Sequence, residues 1–213
     1  PSIHVRGSGK RTTTITQATG GADILVVGET NAEKADYFSF TDLSLSGGRY
    51  AIRLNSALSN IIERVEITGP AVGIYMEGEN ESHAIRDVEI VGATQNGILT
   101  GQLNGGSGTL SAPIVAKTLF ENVRVSGTSG GSAIVVDAGS LGGQQVSSSN
   151  TLRKIRLESN HQHGIVVTNA FNTTIAQVSN EEALSTANTY SGIRLGTGAG
   201  PTAIRDCALQ GRD

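Results

Sequence analysis

The sequence repeats two short apolar phrases along its length. The first reads apolar-x-x-apolar-x-apolar-x-Gly; it is intact at residues 40–47, 62–69, 85–92 and 120–127, degraded at 152–157 and 175–178, and recurs at 204–211. The second reads small-Ile-x-apolar and lies between copies of the first, at 51–54, 73–76, 133–136, 164–167 and 192–195, while the copy at 97–100 ends in Thr. Two strand-like phrases in each short unit predict a solenoid of stacked coils.

The spacing of the first phrase sets the size of one coil. Phe40, Ile62 and Ile85 follow one another at about 22 residues, and the longer intervals that come next contain insertions. Alternation within each phrase turns its apolar side chains to one face, and parallel strands joined by crossovers wind right-handed. We therefore predict an all-β chain, a right-handed parallel β-helix of about seven to eight coils.

The predicted β-helix is a single domain that spans residues 1–213. We expect an irregular first coil at 1–37 and regular coils at 38–213, with loop insertions at 101–117 and 138–149. Many of the 28 glycines fall at the ends of the phrases, where tight corners need them. Neither end of the sequence shows the polar cap that solenoids normally carry, so we expect a piece of a longer β-helix.

Composition and charge argue against two classes of partner. Lys and Arg number 16 against 19 Asp and Glu, which gives a net charge of −3 and no basic face for nucleic acid. No stretch approaches the ~18 consecutive apolar residues of a membrane helix, so we expect no membrane insertion.

The coils also carry a family resemblance. The run at residues 3–15, Ile-His-Val-Arg-Gly-Ser-Gly-Lys-Arg-Thr-Thr-Thr-Ile, followed by the phrases from Phe40 to Gly211, resembles the pectate-lyase-like β-helix superfamily, and especially bacteriophage tailspikes and polysaccharide depolymerases. The acidic segment and short helix that usually precede the first coil there are missing here. The resemblance implies an extracellular or virion protein that forms a parallel homotrimer and binds a polysaccharide. Because coils of this family carry lyases, hydrolases, epimerases and inert stalks, the chemistry has to be sought in individual residues.

Stacking converts equivalent sequence positions into columns of neighbouring side chains. The column between the two inward residues of the first phrase contains Glu66, Glu89, Arg124 and Arg156. Like charges at adjacent positions disfavour each other, which a purely structural face has reason to avoid. This stripe could bind an acidic polysaccharide, with the arginines holding sugar carboxylates and the glutamates acting as acid or base. The alternative is a solvated face with one bridge between Glu89 and Arg124. The two preceding columns alternate in sign and are interpreted as salt-bridge ladders.

A second candidate site follows the second phrase. Glu77 and Asp137 occupy one column two coils apart, roughly 9 to 10 Å by strand spacing, near the upper end of the ~6.5–9.5 Å found in inverting glycosidases. Both predicted insertions directly follow this phrase, so they would wall a groove beside the two carboxylates. The alternative is that these loops have no role in a site, or that they contact another subunit.

Signals for a metal or cofactor are sparse. The acidic run at residues 77–81 could bind Ca²⁺ through oxygen ligands, but it lacks the ligand spacing of a recognised loop, so we expect a solvated turn and no cofactor. His161 and His163 lie two apart in a polar turn and are interpreted as surface residues rather than metal ligands. A basic strand precedes them, which makes His163 a candidate for contact with an anionic substrate.

An apolar outward column bears on assembly. Tyr75, Leu99, Val135 and Val166 would form an exposed stripe on a monomer. Burial against a sister subunit of a homotrimer explains such a stripe, and cover by flanking loops is the alternative. Tyr75 is also the aromatic candidate for substrate contact on this face.

Three functions remain open. The first is a tailspike-like receptor-binding protein that binds and depolymerises a bacterial surface polysaccharide at one of the two candidate sites. The second is a non-catalytic β-helical shaft or adhesin module, and the third is a secreted microbial polysaccharide lyase. The absence of Trp and the small number of Tyr argue against strong sugar-stacking platforms. We favour the first.

Overall fold

The computed structural model describes residues 2–18, 21–28, 35–101, 114–137, 140–141, 144–145, 148–181 and 191–209. Within these ranges the chain forms strands and no helix, and so contains no helix that could cross a membrane. Much of the predicted insertions at 101–117 and 138–149 lies outside the described residues.

The strands, numbered in chain order, form three stacked sheets and one hairpin. Sheet A contains β1 (Ile3–Arg6), β2 (Thr14–Gln17), β5 (Phe38–Gly47), β8 (Ile61–Thr68), β11 (Ala84–Val91), β14 (Leu119–Ser126), β18 (Thr151–Glu158), β20 (Thr173–Glu181), β22 (Thr202–Arg205) and β23 (Ala208–Leu209). Sheet B contains β3 (Leu25–Val27), β6 (Tyr50–Asn55), β9 (Val72–Glu77), β12 (Ile98–Thr100), β15 (Ile134–Asp137), β19 (Ile165–Thr168) and β21 (Ile193–Leu195). Sheet C contains β4 (Ala35–Asp36), β7 (Ala57–Leu58), β10 (Glu79–Glu81) and β13 (Ile114–Ala116), and the hairpin pairs β16 (Ser140–Leu141) with β17 (Gln144–Gln145).

Neighbouring strands in the three sheets are parallel, and their register aligns the repeats as predicted. The first apolar position of the first phrase stacks in the order Phe40, Ile62, Ile85, Phe120, Leu152, Ile175, Ile204. The Ile of the second phrase stacks in the order Ile52, Ile74, Ile98, Ile134, Ile165, Ile193. Most of these side chains are buried in one continuous core. The right-handed parallel β-helix is confirmed.

The first phrase has two residues between its first two apolar positions because each strand of sheet A bends there. From the second coil onward, the second of the two residues adopts a left-handed conformation, with φ between 52° and 58°, at Asp42, Arg64, Asp87, Asn122, Lys154, Gln177 and Asp206. Because this residue interrupts the in-and-out alternation of the strand, the apolar side chains before and after the two-residue gap both face inward. The glycine that ends the phrase is a second left-handed corner, as in Gly69 (φ 65°) and Gly92 (φ 67°).

The small residue that opens the second phrase is required by close packing across the core. A Cβ added to Gly73 would lie 2.9 Å from Ile90 Cδ1, and one on Gly164 would lie 2.7 Å from Leu157 Cδ1. The backbone oxygen of the next coil would be closer still, at 2.5 Å for Gly73 and 2.4 Å for Gly164, so at these two positions even a methyl group is crowded.

The first coil is more regular than the sequence suggests. Its strands β1, β2, β3 and β4 each pair in register with the second coil, with Val5 opposite Phe40 and Leu25 opposite Ile52. At the bend of sheet A, where other coils have one left-handed residue, this coil has the loop 7–13. That loop lies against the outer face of sheet A, because Arg11 N–H donates to Ser44 Oγ at 2.9 Å.

A ladder of buried polar side chains supports the start of each sheet A strand, which the repeat pattern did not predict. It lies two residues before the first apolar position and contains Asn60, His83, Thr118, Asn150 and Thr173. Backbone N–H groups of the preceding coil donate to it, from Phe38 to Asn60 Oδ1 at 2.7 Å and from Asn60 to His83 Nδ1 at 3.2 Å. Burial lowers the pKa of His83 to about 4.

Candidate functional site

The charged stripe predicted on sheet A is assembled as expected. Glu66 pairs in register with Glu89, Glu89 with Arg124, and Arg124 with Arg156. Residues at equivalent positions of successive coils are therefore direct neighbours on the outer face.

The two glutamates share a cation that comes from outside the column. Arg11, in the loop 7–13, has its Nε 2.7 Å from Glu66 Oε2 and a terminal nitrogen 4.0 Å from Glu89 Oε2. The hydrogen bond and charge of Glu66 raise the pKa of Arg11. A loop residue thus offsets the repulsion between two like neighbours, and no coil pattern indicated it.

The two arginines share a carboxylate in the same way. Arg124 donates two hydrogen bonds to Glu158, at 3.2 and 2.6 Å, and also pairs with Glu89, while Arg156 pairs with Glu158 from the other side. The hydrogen bond from Arg124 lowers the pKa of Glu158. Glu158 lies two residues after Arg156, at the next outward position of the same strand. A comparison of that outward column as well would have indicated Glu158 from the sequence.

The neighbouring columns form the expected salt-bridge ladders. Glu121 lies between Arg86, at 3.7 Å, and Arg153, at 2.8 Å. Asp42 and Arg64, both at the left-handed bend, make two contacts at 2.5 and 3.0 Å. Sheet A therefore carries an extended network of paired charges.

Sheet B places the other two predicted carboxylates in one column. Register puts Glu77 beside Gly101 and Gly101 beside Asp137, so the backbones of the two acidic residues lie two strands apart, about 9.6 Å by the usual spacing. A Cβ on Gly101 would lie 2.8 Å from Asp137 Cβ. Gly101 itself has no side chain, so Asp137 Cβ lies directly against the position between the two strands.

Glu77 belongs to a cluster of charges at the first coils of sheet B. Arg53 Nε donates to Glu77 Oε1 at 2.6 Å, and Arg53 also lies 3.5 Å from Asp23 Oδ2. Asp23 accepts two further hydrogen bonds from Arg49, at 2.9 and 3.0 Å. Burial would raise the pKa of Asp23, but the hydrogen bond and charge of Arg49, with the charge of Arg53, outweigh it and lower that pKa.

Asp137 is hydrogen-bonded to residues on both neighbouring coils. Its backbone N–H donates to Thr100 Oγ1 and its carbonyl accepts from the same hydroxyl, each at 2.8 Å. Its Oδ1 accepts from Asn169 Nδ2 at 3.1 Å. The polar ending of the second phrase at Thr100 is thus explained, because this buried hydroxyl is satisfied by the backbone of Asp137.

Tyr75 is enclosed within the single chain. It is 4% exposed and stacks on Tyr50 with ring centroids 4.5 Å apart, and Leu99 beside it is 8% exposed. The prediction of an exposed apolar stripe is therefore wrong for these two residues, and exposure gives no reason for a trimer there. Val135 and Val166, farther along the column, are half-buried.

His163 contacts Arg194, a residue that the repeat pattern did not assign to a site. One nitrogen of Arg194 lies 3.0 Å from His163 Nε2, and Ser191 N–H points to Nδ1 at 3.3 Å. Burial, together with the charge of Arg194, lowers the pKa of His163. A neutral imidazole beside an arginine is an arrangement that could contact an anionic group.

The acidic run 77–81 is engaged in ion pairs. Glu77 pairs with Arg53, and Glu81 pairs with Lys117 on the next coil. Across the described ranges, no three His, Cys, Asp or Glu side chains come together as metal ligands would.

Comparison with known proteins informs the fold. No protein-family model matches the sequence, and no curated protein matches it. An alginate lyase from Paenibacillus sp. superposes with a TM-score of 0.53 at 13% identity, over 98% of this chain and 89% of that chain. The A-module of a mannuronan C-5 epimerase from Azotobacter vinelandii gives 0.55 at 16% identity, over 96% of this chain and 61% of that chain, so this chain spans less than two thirds of that structure. At such identities the similarity shows the fold alone, in agreement with the resemblance noted in the sequence.

Proposed function

We propose, taking the right-handed β-helix as the premise, that this protein is a tailspike-like receptor-binding protein that binds an acidic bacterial surface polysaccharide along the outer face of sheet B and hydrolyses it there. Two structures that share the fold are named for alginate and for mannuronan, and we carry an acidic polysaccharide over to this chain as its substrate class. An extracellular or virion location and a homotrimeric assembly are part of the same proposal, and light scattering of the purified protein tests the trimer.

The observation that carries the proposal is the column Glu77, Gly101, Asp137. The two acidic residues lie on strands about 9.6 Å apart, with a glycine between them, which is near the upper end of the ~6.5–9.5 Å spacing that leaves room for both a sugar and a water in inverting glycosidases. Glu77, ion-paired with Arg53, is suited to activate water as the base. The acid that protonates the leaving oxygen is then assigned to Asp137, whose carboxylate is oriented by Asn169.

Two arginines on the same face could hold sugar carboxylates. Arg53 and Arg194 belong to one outward column of sheet B and lie at opposite ends of the apolar segment from Tyr75 to Val166. Guanidinium groups bind carboxylates in two-point contacts, so an anionic chain along this column would meet a cation at each end. His163 lies beside Arg194 and completes that end.

A second candidate function is a non-catalytic binding module, and the same contacts favour it. Glu77 is already paired with an arginine, Asp137 already accepts from an amide, and the stripe on sheet A is neutralised by Arg11 and Glu158. A face of satisfied charges gives a rigid surface for glycan contact without chemistry. The remaining alternative, a secreted lyase, would use the same face for elimination.

One experiment separates the three functions. The protein is incubated with alginate and with capsular polysaccharides, while new reducing ends and the ultraviolet absorbance of unsaturated uronate are followed together. New reducing ends with unchanged absorbance support hydrolysis, and both together mean a lyase. Binding without either product means a non-catalytic module, and neither binding nor product contradicts the proposal.

A further inference from the structure

A second surface feature lies at the corner where the chain enters sheet A. In the first coils it is a shallow cavity of about 370 Å³, lined by His4, Tyr37, Phe38, Ser39, Ser59 and Ile61. This corner is separate in the fold from the outer face of sheet B, because its residues belong to β1, β5 and β8 of sheet A and to the turns before β5 and β8.

Tyr37 occupies a backbone position that disfavours it. Its φ is 60°, in the left-handed region, where bulky side chains are uncommon. The equivalent left-handed corners of the following coils are occupied by small, polar or flexible residues, namely Ser59, Ser82, Lys117, Ser149 and Asn172. Since the corner geometry is the same in every coil, nothing in the fold requires an aromatic residue at position 37.

Burial does not explain Tyr37 either. The side chain is 61% exposed, so its ring gains little from removal from water. Ile61, in the neighbouring coil, is likewise 42% exposed, whereas its column neighbours are the smaller Ser39 and Ala84. Two large side chains that line the same cavity are thus kept largely at the surface.

The polar groups around them are fixed and fit a sugar ring. His4 Nδ1 and Ser39 Oγ are hydrogen-bonded at 2.6 Å, which orients both at the edge of the cavity. An aromatic face beside hydroxyl and imidazole groups matches a sugar, whose C–H faces stack on rings and whose hydroxyls need hydrogen bonds. The described lining residues include no Asp, Glu, Lys or Arg, so this site would recognise the ring rather than its charge.

A cavity at the same corner of the last coils gives a natural comparison. It measures about 450 Å³ and is lined by Asn172, Thr173, Thr174, Pro201, Thr202 and Ala203. Asn172 holds the backbone position of Tyr37, five coils away, and Thr174 and Ala203 continue the column of Ser39 and Ile61. The aromatic wall is therefore particular to the first coils and is not a consequence of the corner.

We propose that the Tyr37 cavity is a carbohydrate subsite, which binds one sugar ring of the polysaccharide by stacking on Tyr37 and anchors the chain away from sheet B. The identity of the polysaccharide rests on the proposed function, whereas the subsite itself requires no cleavage.

Ring signals of the tyrosines provide the test. Protein labelled with ¹³C at its four Tyr rings is titrated with alginate tetrasaccharides and, separately, with a neutral glucan tetrasaccharide, and Tyr37 is assigned with Tyr37→Phe. We expect the Tyr37 signals to shift saturably with both probes. Tyr37→Ala should weaken binding of the neutral probe at least about fivefold, as expected for loss of an aromatic stacking contact. Tyr37→Phe, which keeps the ring, and Asn172→Ala, at the matching position of the other cavity, should bind like the parent protein.

The outcomes distinguish this subsite from the proposed function. Saturable Tyr37 shifts without any cleavage would support the subsite and contradict hydrolysis. Cleavage with unmoved Tyr37 signals, or full binding by Tyr37→Ala, would overturn the subsite and leave hydrolysis standing. Tyr37 signals that move with protein concentration alone, with no response to either sugar, would overturn it in favour of a contact between protein molecules.

Discussion

The outer faces of sheets A and B are built by the same stacking of coils but differ in how their charges meet. On sheet A, Arg11 and Glu158 lie outside the column. Arg11 pairs with the two adjacent glutamates, and Glu158 pairs with the two adjacent arginines. On sheet B, Glu77 and Asp137 are separated by Gly101 and have different partners. A column of charges is therefore not a site by itself, since side chains from adjacent positions and loops decide whether it is neutralised.

The largest expected effect is the loss of chemistry on sheet B. Glu77→Gln and Asp137→Asn should each lower cleavage at least about 100-fold, because each removes a proton-transfer group while keeping the side chain's shape. Glu89→Gln makes the same change on sheet A and should leave turnover unchanged. Initial rates of reducing-end formation measure all three variants. If Glu89→Gln loses turnover and the other two variants keep it, the catalytic site lies on sheet A and not on sheet B.

Acid should weaken the core beneath sheet A before it affects the ion pairs above. The pKa of His83 is about 4 in the folded protein, against about 6.5 when exposed. The folded state therefore binds fewer protons than the unfolded state in this interval. The stability that depends on neutral His83 is fully present above pH 6.5, and roughly 3 kcal/mol of the free energy of unfolding is lost as the pH falls toward 4.

His83→Asn isolates this effect, since Asn60 and Asn150 already occupy the same ladder. The variant should show a much flatter decline in the free energy of unfolding between pH 6.5 and 4, measured by chemical denaturation at a series of pH values. A parental protein whose stability does not change over that interval would contradict the assignment to His83.

Filling the gap on sheet B should have an intermediate effect. At Gly101, φ is +100° and a Cβ would lie 2.8 Å from Asp137 Cβ. Gly101→Val should therefore cost about 1–2 kcal/mol of stability and lower cleavage at least about 10-fold by displacing Asp137. Gly92→Val is the matched control at a sheet A corner, where φ is +67° and nothing lies within 4 Å of the added Cβ. It should be strained but fully active, and equal loss of activity in both variants would mean that strain alone is responsible.

The smallest effect is expected from the ion pairs of sheet A. Arg124→Met removes the cation shared by Glu89 and Glu158 and keeps the apolar stem, and because Arg124 is partly solvated we expect a loss of only about 0.5–1 kcal/mol. The lowered pKa of Glu158 gives stability that is present above its ordinary pKa and lost as the pH falls through the folded value. The variant should lose less stability than the parent in that acidic range, and the difference at neutral pH should shrink in high salt. A loss several times larger, unaffected by salt, would show that the stem rather than the charge is stabilising.

The fold could be predicted because its periodic signal is strong and local. Equivalent positions from Phe40 to Ile204 fall into register, and the glycines at the ends of phrases lie at left-handed corners. The reason for the two-residue gap in the first phrase was not predictable in the same way. A left-handed bend at residues as different as Asp42 and Lys154 is imposed by the stacked coils, not by the preference of either residue.

The candidate sites were predicted only in part. Neighbours within a column, such as Glu89 and Arg124, follow from the register and were found. Tyr75 was expected at the surface because its column position faces outward, yet its ring is buried against Tyr50. Position in a repeat gives the direction of a side chain but says nothing of what covers it.

The sequence alone determined which residues form the core and which coils lie next to one another, because an apolar phrase that recurs once in each coil is buried when successive coils stack in register. The tertiary structure decided which charges meet, that Gly101 lies between the two acidic residues of sheet B, and that Tyr37 borders a cavity. Those contacts join residues distant along the chain, such as Arg11 and Glu66, which are 55 positions apart, and no local pattern specifies them.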